Sequence, residues 1–109
     1  MSYNVKTITV FERQAKRLVK KYPSLKSEIL QLVHTLKEIP QKQGFSLGNN
    51  CYKIRVAIAS KGKGKSGGAR IIIHLQISES VVFLLSIYDK SEQADITNAE
   101  LNELLKFVK

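Results

Sequence analysis

CYKIRVAIASKGKGKSGGARIIIHLQISESVVFLLSIYDK, residues 51–90, holds three strand-like runs, with a glycine-lysine loop between the first two. In the first run Tyr52, Ile54, Val56 and Ile58 share one face of a period-two pattern, leaving Lys53, Arg55 and Ala57 on the other. The second puts Ile71, Ile73, Leu75 and Ile77 on one face and Arg70, Ile72, His74 and Gln76 on the other. Val81 to Tyr88 is apolar on both sides, as a central strand should be, and Ser78-Glu79-Ser80 supplies a hairpin turn before it. Because side chains leave a strand on alternate sides, the period sorts charge by face. Lys53, Arg55, Arg70 and His74 fall together, and Tyr88 and Lys90 join them if the third strand is in register. A cationic patch on a rigid platform is the expectation.

The flanks read as scaffold. Tyr3 to Val10 alternates in the manner of a short strand, and Thr9 with Glu12 has capping-box spacing. Phe11, Ala15, Leu18, Val19 and Tyr22 then form one helical stripe, with Arg13, Lys16, Arg17, Lys20 and Lys21 away from it. This basic outer face is either solvated or an auxiliary contact to structured RNA. Pro23 ends the helix and Ser24 can cap a second, striped by Leu25, Ile29, Leu32, Val33, Leu36 and Ile39 and closed by Pro40; its His34 should face solvent. Gln41 to Asn50 reads as a polar connection. Thr97 and Glu100 have capping-box spacing, Ile96 and Leu101 suit a hydrophobic staple, and Leu101, Leu104, Leu105 and Val108 stripe a C-terminal helix. The order implies one α+β domain over 1–109, with a helical hairpin near the N-terminus, a mainly antiparallel sheet and a final helix.

The formal charge of +9 is unevenly spread. Between Glu38 and Glu79 no acidic residue occurs, while Lys42, Lys53, Arg55, Lys61, Lys63, Lys65 and Arg70 do; the remainder holds 11 basic and 9 acidic residues. Charge focused in this way suits a phosphate-backbone partner. No apolar run is long enough for a membrane span and no signal-peptide pattern opens the chain, so a cytoplasmic protein is expected. A lone cysteine, Cys51, forms no internal disulfide and reads as packing.

Gly64-Lys65-Ser66 suggests a P-loop, but the leading glycine would fall at Ala59, and a strand rather than a helix follows. One cysteine and two distant histidines give no metal-ligand spacing, so neither metal nor cofactor is expected. A patch of Lys, Arg, Tyr and one His can nevertheless cleave RNA. The 2′-hydroxyl attacks the adjacent phosphorus, and the protein aligns it, neutralises the charge-rich transition state and moves protons. Arginine's planar fork suits the phosphate, a lysine crowded by like charge can serve as a neutral base, and tyrosine can stack on a base.

YKIRVAIASKGKGKSGGARIIIHL followed by VVFLLSIYDKSEQADIT resembles the RelE/HigB superfamily of type II toxins, with HigB-like members that carry a GKGKSGGAR loop as the nearest pattern. The resemblance covers most of the chain, including the FxRxxK opening at Phe11 to Lys16. It implies a small microbial RNase fold, metal-independent and ribosome-dependent cleavage of mRNA in the decoding site with rRNA contacts, and a cognate antitoxin, a HigA-like helix-turn-helix protein. By position it assigns catalysis to Lys53, Arg55, Arg70 and Lys90, with Arg70 as phosphate clamp and Lys90 orienting substrate or protonating the leaving group. Lys61, Lys63, Lys65, His74 and Tyr88 are expected to bind RNA. The neighbourhood where some RelE-like members place a tyrosine reads Gln93-Ala94-Asp95-Ile96 in this chain, which leaves the base-stacking partner open. Two competing readings are a non-catalytic ParE-like inhibitor of DNA gyrase, which shares the fold, and a simple RNA-binding module.

Overall fold

The computed structural model describes residues 2–38, 44–62 and 67–108. Among them the order is strand β1 (Asn4–Thr7), helices α1 (Thr9–Lys21) and α2 (Leu25–Glu38), strands β2 (Phe45–Gly48), β3 (Cys51–Val56), β4 (Ala69–Gln76) and β5 (Val81–Asp89), and helix α3 (Asn98–Leu105). Single 3-10 turns follow β3 at Ala59–Lys61, join β4 to β5 at Ile77–Glu79 and extend α3 at Lys106–Val108. Ile39, Pro40, Lys42, Lys63 and Lys65, with the expected close of the second helix and the centre of the glycine-lysine loop, lie outside the described residues.

The sheet order is β1-β5-β4-β3-β2, with β1 parallel to β5 and every other pair antiparallel. This is the expected α+β fold with a mainly antiparallel sheet. Interior β5 carries apolar residues on both faces because both are covered. Ile54, Val56, Ile71 and Ile73 join Leu18 of α1 and Leu25 and Leu36 of α2 in the main core. Each fully buried leucine contributes about 2 kcal/mol. Beyond Thr7, β1 no longer covers the outer edge of β5. There Gln14 of α1 takes over, its Oε1 accepting from the Ile87 amide and the Ser86 hydroxyl, both at 3.0 Å.

Three expectations need correction. Gln41 to Asn50 is not simply a connection, because Phe45–Gly48 forms an edge strand against β3. Its hairpin turns on Asn49 (φ 53°) and Asn50 (φ 58°), the pair of left-handed residues a two-residue type I′ turn requires. Gly44 anchors the strand's start: it has φ 82°, and a Cβ there would collide with the Lys53 carbonyl. Secondly, the first strand stops at Thr7 and Thr9 is already helical, so Thr9 and Glu12 form no capping box. Ile8 is the N-cap without a side-chain bond, and the Thr7 hydroxyl donates to Glu12 instead. Thirdly, Ile72 does not lie on an open face; it is fully buried. The capping box of α3 forms as expected, Glu100 N donating to Thr97 Oγ1 and Thr97 N to Glu100 Oε1, each at 3.1 Å.

A carboxylate is buried with the core. Asp89, at the end of β5, has 0% exposure. It accepts from Lys61 Nζ at 2.6 Å, Tyr22 Oη at 2.7 Å, and the Ser91 amide and hydroxyl at 3.0 and 2.8 Å. Burial pushes its pKa up, but the Lys61, Ser91 and Tyr22 bonds outweigh burial and hold it well below the carboxylate range. The carboxylate thereby ties the turn after β3 and the end of α1 to β5. Asp89→Asn should cost about 3 kcal/mol of stability at pH 7 in urea unfolding. A depressed folded pKa contributes stability above the unfolded value of about 3.9 and loses it as pH falls below that. The gap between Asp89→Asn and wild type should therefore narrow below about pH 4; a pH-independent gap contradicts this role.

Candidate functional site

The ladder register settles which of the charged side chains meet. Arg55 lies opposite Arg70, and Arg70 opposite Tyr88, in one row across β3, β4 and β5. Lys53, two residues before Arg55, pairs with Ile72 on one side and with Phe45 of β2 on the other. Lys90 continues the ladder, its amide donating to the Gly68 carbonyl at 3.0 Å, and two residues beyond Tyr88 it returns to the same face. A Cβ at Gly68 would strike the Val56 carbonyl, so glycine is what lets the returning loop start β4 there.

The row is graded in exposure. Arg55 is open to solvent and Lys53 partly so, whereas Arg70 and Tyr88 are each only 4% exposed. Arg70 Nη1 donates to the Ala69 carbonyl at 3.1 Å. The Tyr88 hydroxyl is buried without a hydrogen-bond partner of good geometry among the described residues. Burial, reinforced by the negative charge of Asp95 and opposed by Arg70, pushes its pKa up to about 12, so it is a neutral phenol at any physiological pH.

The cover comes from the segment after β5. Asp95 Oδ1 accepts from Lys53 Nζ at 3.0 Å and from the Ile96 amide at 2.8 Å, and Lys90 Nζ donates to the Ala94 carbonyl at 2.8 Å. The Ile96 amide and then Lys53 lower the Asp95 pKa, keeping it an anion. A carboxylate thus stands against the cationic face, paired with Lys53. At the other end of this face Gln76 Nε2 donates to the Val108 carbonyl at 2.7 Å, fixing the C-terminal turn against the sheet.

The structure brings Lys53, Arg55, Arg70, Tyr88 and Lys90 together. His74 shares this face, opposite Cys51 and diagonal to Lys53 across Ile72, but it lies farther from the arginine row. His74 is four residues from Arg70 along β4, about 13 Å at strand rise, and its Nδ1 lies 3.5 Å from Cys51 Sγ. Burial lowers its pKa, partly offset by the Asn49 backbone, while burial alone raises that of the Cys51 thiol to about 11. Both side chains sit beside the β2–β3 turn. Lys61 is likewise committed elsewhere, paired with Asp89 and Ser91 and 5.5 Å from the Tyr22 ring centroid. Lys63 and Lys65 lie outside the described residues. Among the described residues no cluster of His, Cys, Asp and Glu is placed to hold a metal ion.

Two residues escaped the sequence reading. Asp95 meets Lys53 across 42 positions, a separation no local pattern signals. Phe45 was hidden in the supposed connection, although Gly48-Asn49-Asn50 is a hairpin signal.

Fold and site together define a small α+β domain with a cationic face built across three antiparallel strands. The family profile described as "RelE toxin of RelE / RelB toxin-antitoxin system" matches residues 8–109, and the chain belongs to this family of toxins of toxin-antitoxin systems. Its fold is similar to that of an Escherichia coli toxin RelE mutant in the free state (TM-score 0.63, 18% identity, all of both chains covered). It is similar too to a chain of the Mycobacterium tuberculosis RelBE2 toxin-antitoxin complex (TM-score 0.63, 16% identity, 82% of this chain and 99% of that chain). Among the described residues no helix is long and apolar enough to cross a membrane.

If Asp95 screens this face, Asp95→Asn should bind single-stranded RNA a few-fold more tightly at low salt, the scale of an exposed ion pair. The gain should shrink at high salt. Fluorescence anisotropy across a salt series measures both; equal affinity of the two proteins at low salt would remove Asp95 from the site.

Proposed function

We propose that this protein is a ribosome-dependent mRNA endonuclease that stops translation by cutting messages in the decoding site. The observation that carries the reading is the cross-strand alignment of Arg55 and Arg70, flanked on the same face by Lys53 and Lys90. Two guanidiniums in one row offer parallel N–H pairs to a single phosphate, which neutralises the charge that grows on the phosphorane oxygens.

Chemically, the 2′-oxygen of the nucleotide attacks phosphorus and its proton passes to a base, for which Lys53 is the candidate. The bond from phosphorus to the 5′-oxygen breaks, and Lys90 is placed to return a proton to that oxygen. The products are a 2′,3′-cyclic phosphate and a 5′-hydroxyl, and every positive charge used belongs to the chain, so the reading requires no metal and no cofactor. Substrate must displace the Asp95 carboxylate, freeing Lys53 from its ion pair so that it can act as a neutral base, and must uncover Arg70 for the phosphate. A message held extended in the ribosome supplies that alignment, and free RNA should be cut poorly.

Further elements of the proposal rest on surface and sequence. The exposed Arg13, Lys16 and Lys20 on α1 suit a contact to ribosomal RNA. The loop pattern GKGKSGGAR supports a HigB-like subclass, and with it a HigA-like helix-turn-helix antitoxin as partner and the cytoplasm as location. A single hydrophobic core running from Ile8 to Val108 supports one domain over the whole chain.

Controlled induction in bacteria, with primer extension on a translated message and on its start-codon-less counterpart, tests this. Wild type should create new 5′ ends only on the translated message. Arg70→Ala and the charge-keeping Arg70→Lys should each reduce cutting by about 100-fold, since lysine lacks the fork. Growth arrest without new ends, accompanied by altered plasmid supercoiling, would favour the gyrase-inhibitor reading instead.

A further inference from the structure

Resting on that reading, we propose that Phe45 is the platform on which an unpaired base beside the scissile phosphate stacks. Phe45 is 68% exposed although it belongs to a strand, and it pairs directly with Lys53 in the β2–β3 ladder. Directly opposed residues hold their side chains on one face, with Cβ atoms about 5 Å apart. The ring therefore stands on the cationic face, and Lys53 Nζ lies 5.8 Å from its centroid. A phosphate held by Arg55 and Arg70, beside Lys53, brings its attached nucleoside to this edge of the sheet, where an exposed aromatic ring stands.

The other aromatic rings do not compete. Tyr88 shares the row with Arg70 but is 4% exposed and boxed in. Tyr52 pairs with Ile73, on the opposite side of the sheet from Lys53. Phe83 pairs with His74, away from the arginine row, and exposed Phe107 belongs to the terminal 3-10 turn. Stacking on an aromatic face contributes about 1–3 kcal/mol per base and tolerates any base, because each has a π-face. The anchoring of β2, through Gly44 against the Lys53 backbone and the Asn49-Asn50 turn, holds the ring in place before RNA arrives.

The chain contains no tryptophan, so Phe45→Trp installs a single fluorescent reporter. Titration with a short unstructured RNA should quench the introduced indole, while an abasic oligomer of equal charge and inorganic polyphosphate should bind without quenching. Phe45→Leu, at an exposed position, should fold normally and bind the RNA about tenfold more weakly with an unchanged salt slope, the loss of a stack and not of a phosphate contact. RNA that binds without quenching, or Phe45→Leu matching wild type in affinity, overturns the proposal. So does a Phe45→Leu defect confined to binding a protein partner. If the indole is quenched but wild type cuts no translated message, the base site stands and the nuclease reading falls; if wild type cuts and the indole is silent, the reverse holds.

Discussion

Arg55 and Arg70 occupy directly opposed positions in an antiparallel ladder, an arrangement that works against folding because like charges there repel. Arg70 adds a second cost, since a guanidinium at 4% exposure has given up most of its water. The rest of the molecule is arranged around bearing this row. Apolar residues of β4 and β5 fix the register that creates it, and the segment after β5 covers it. Asp95 and the Ala94 carbonyl supply partners to Lys53 and Lys90. A phosphodiester is better in one respect: its oxygens can meet several cations at once, whereas Asp95 Oδ1 meets Lys53 and its own neighbouring amide.

The same sheet shows how charge is handled when it serves the fold alone. Asp89 is as deeply buried as any core leucine, yet it receives four hydrogen bonds from Lys61, Tyr22 and Ser91 and is fully satisfied. Adjacent residues of β5 thus face opposite ways: Asp89 points to the helix side and ties the end of α1 to the sheet, and Tyr88 points to the cationic face. Period-two alternation alone separates the locked side from the cationic side. Lys61 shows the consequence, because its sequence neighbours mark it as a loop cation while its geometry makes it the counter-ion of Asp89.

Much of this could be read from the sequence because alternation is local. The grouping of Lys53, Arg55 and Arg70 follows from side-chain parity in two hydrophobic strands, and the α3 capping box from Thr97 and Glu100 three residues apart. What escaped was set by distant contacts or by weak local signals. His74 has the parity of the site, but a strand is long enough to put it about 13 Å from Arg70. The β-bulge between Ile72 and Ile73, which shifts the pairing with β5, carries no residue signature in β4. Strand β2 is four residues with an exposed phenylalanine, too short and too polar to declare itself as a strand.

The most direct test of the claim that this cationic face itself performs the chemistry is to identify the ends of a cut message. Purified protein would be given ribosomes programmed with a defined mRNA, and the upstream fragment's terminus determined by mass spectrometry. Attack by the 2′-oxygen predicts a 2′,3′-cyclic phosphate or its monophosphate hydrolysis product, with a 5′-hydroxyl on the downstream fragment. A 3′-hydroxyl paired with a 5′-phosphate would mean that water was the nucleophile, and would contradict Lys53 as the base for the 2′-oxygen, Arg70 as the phosphate clamp and Lys90 as the donor to the 5′-oxygen.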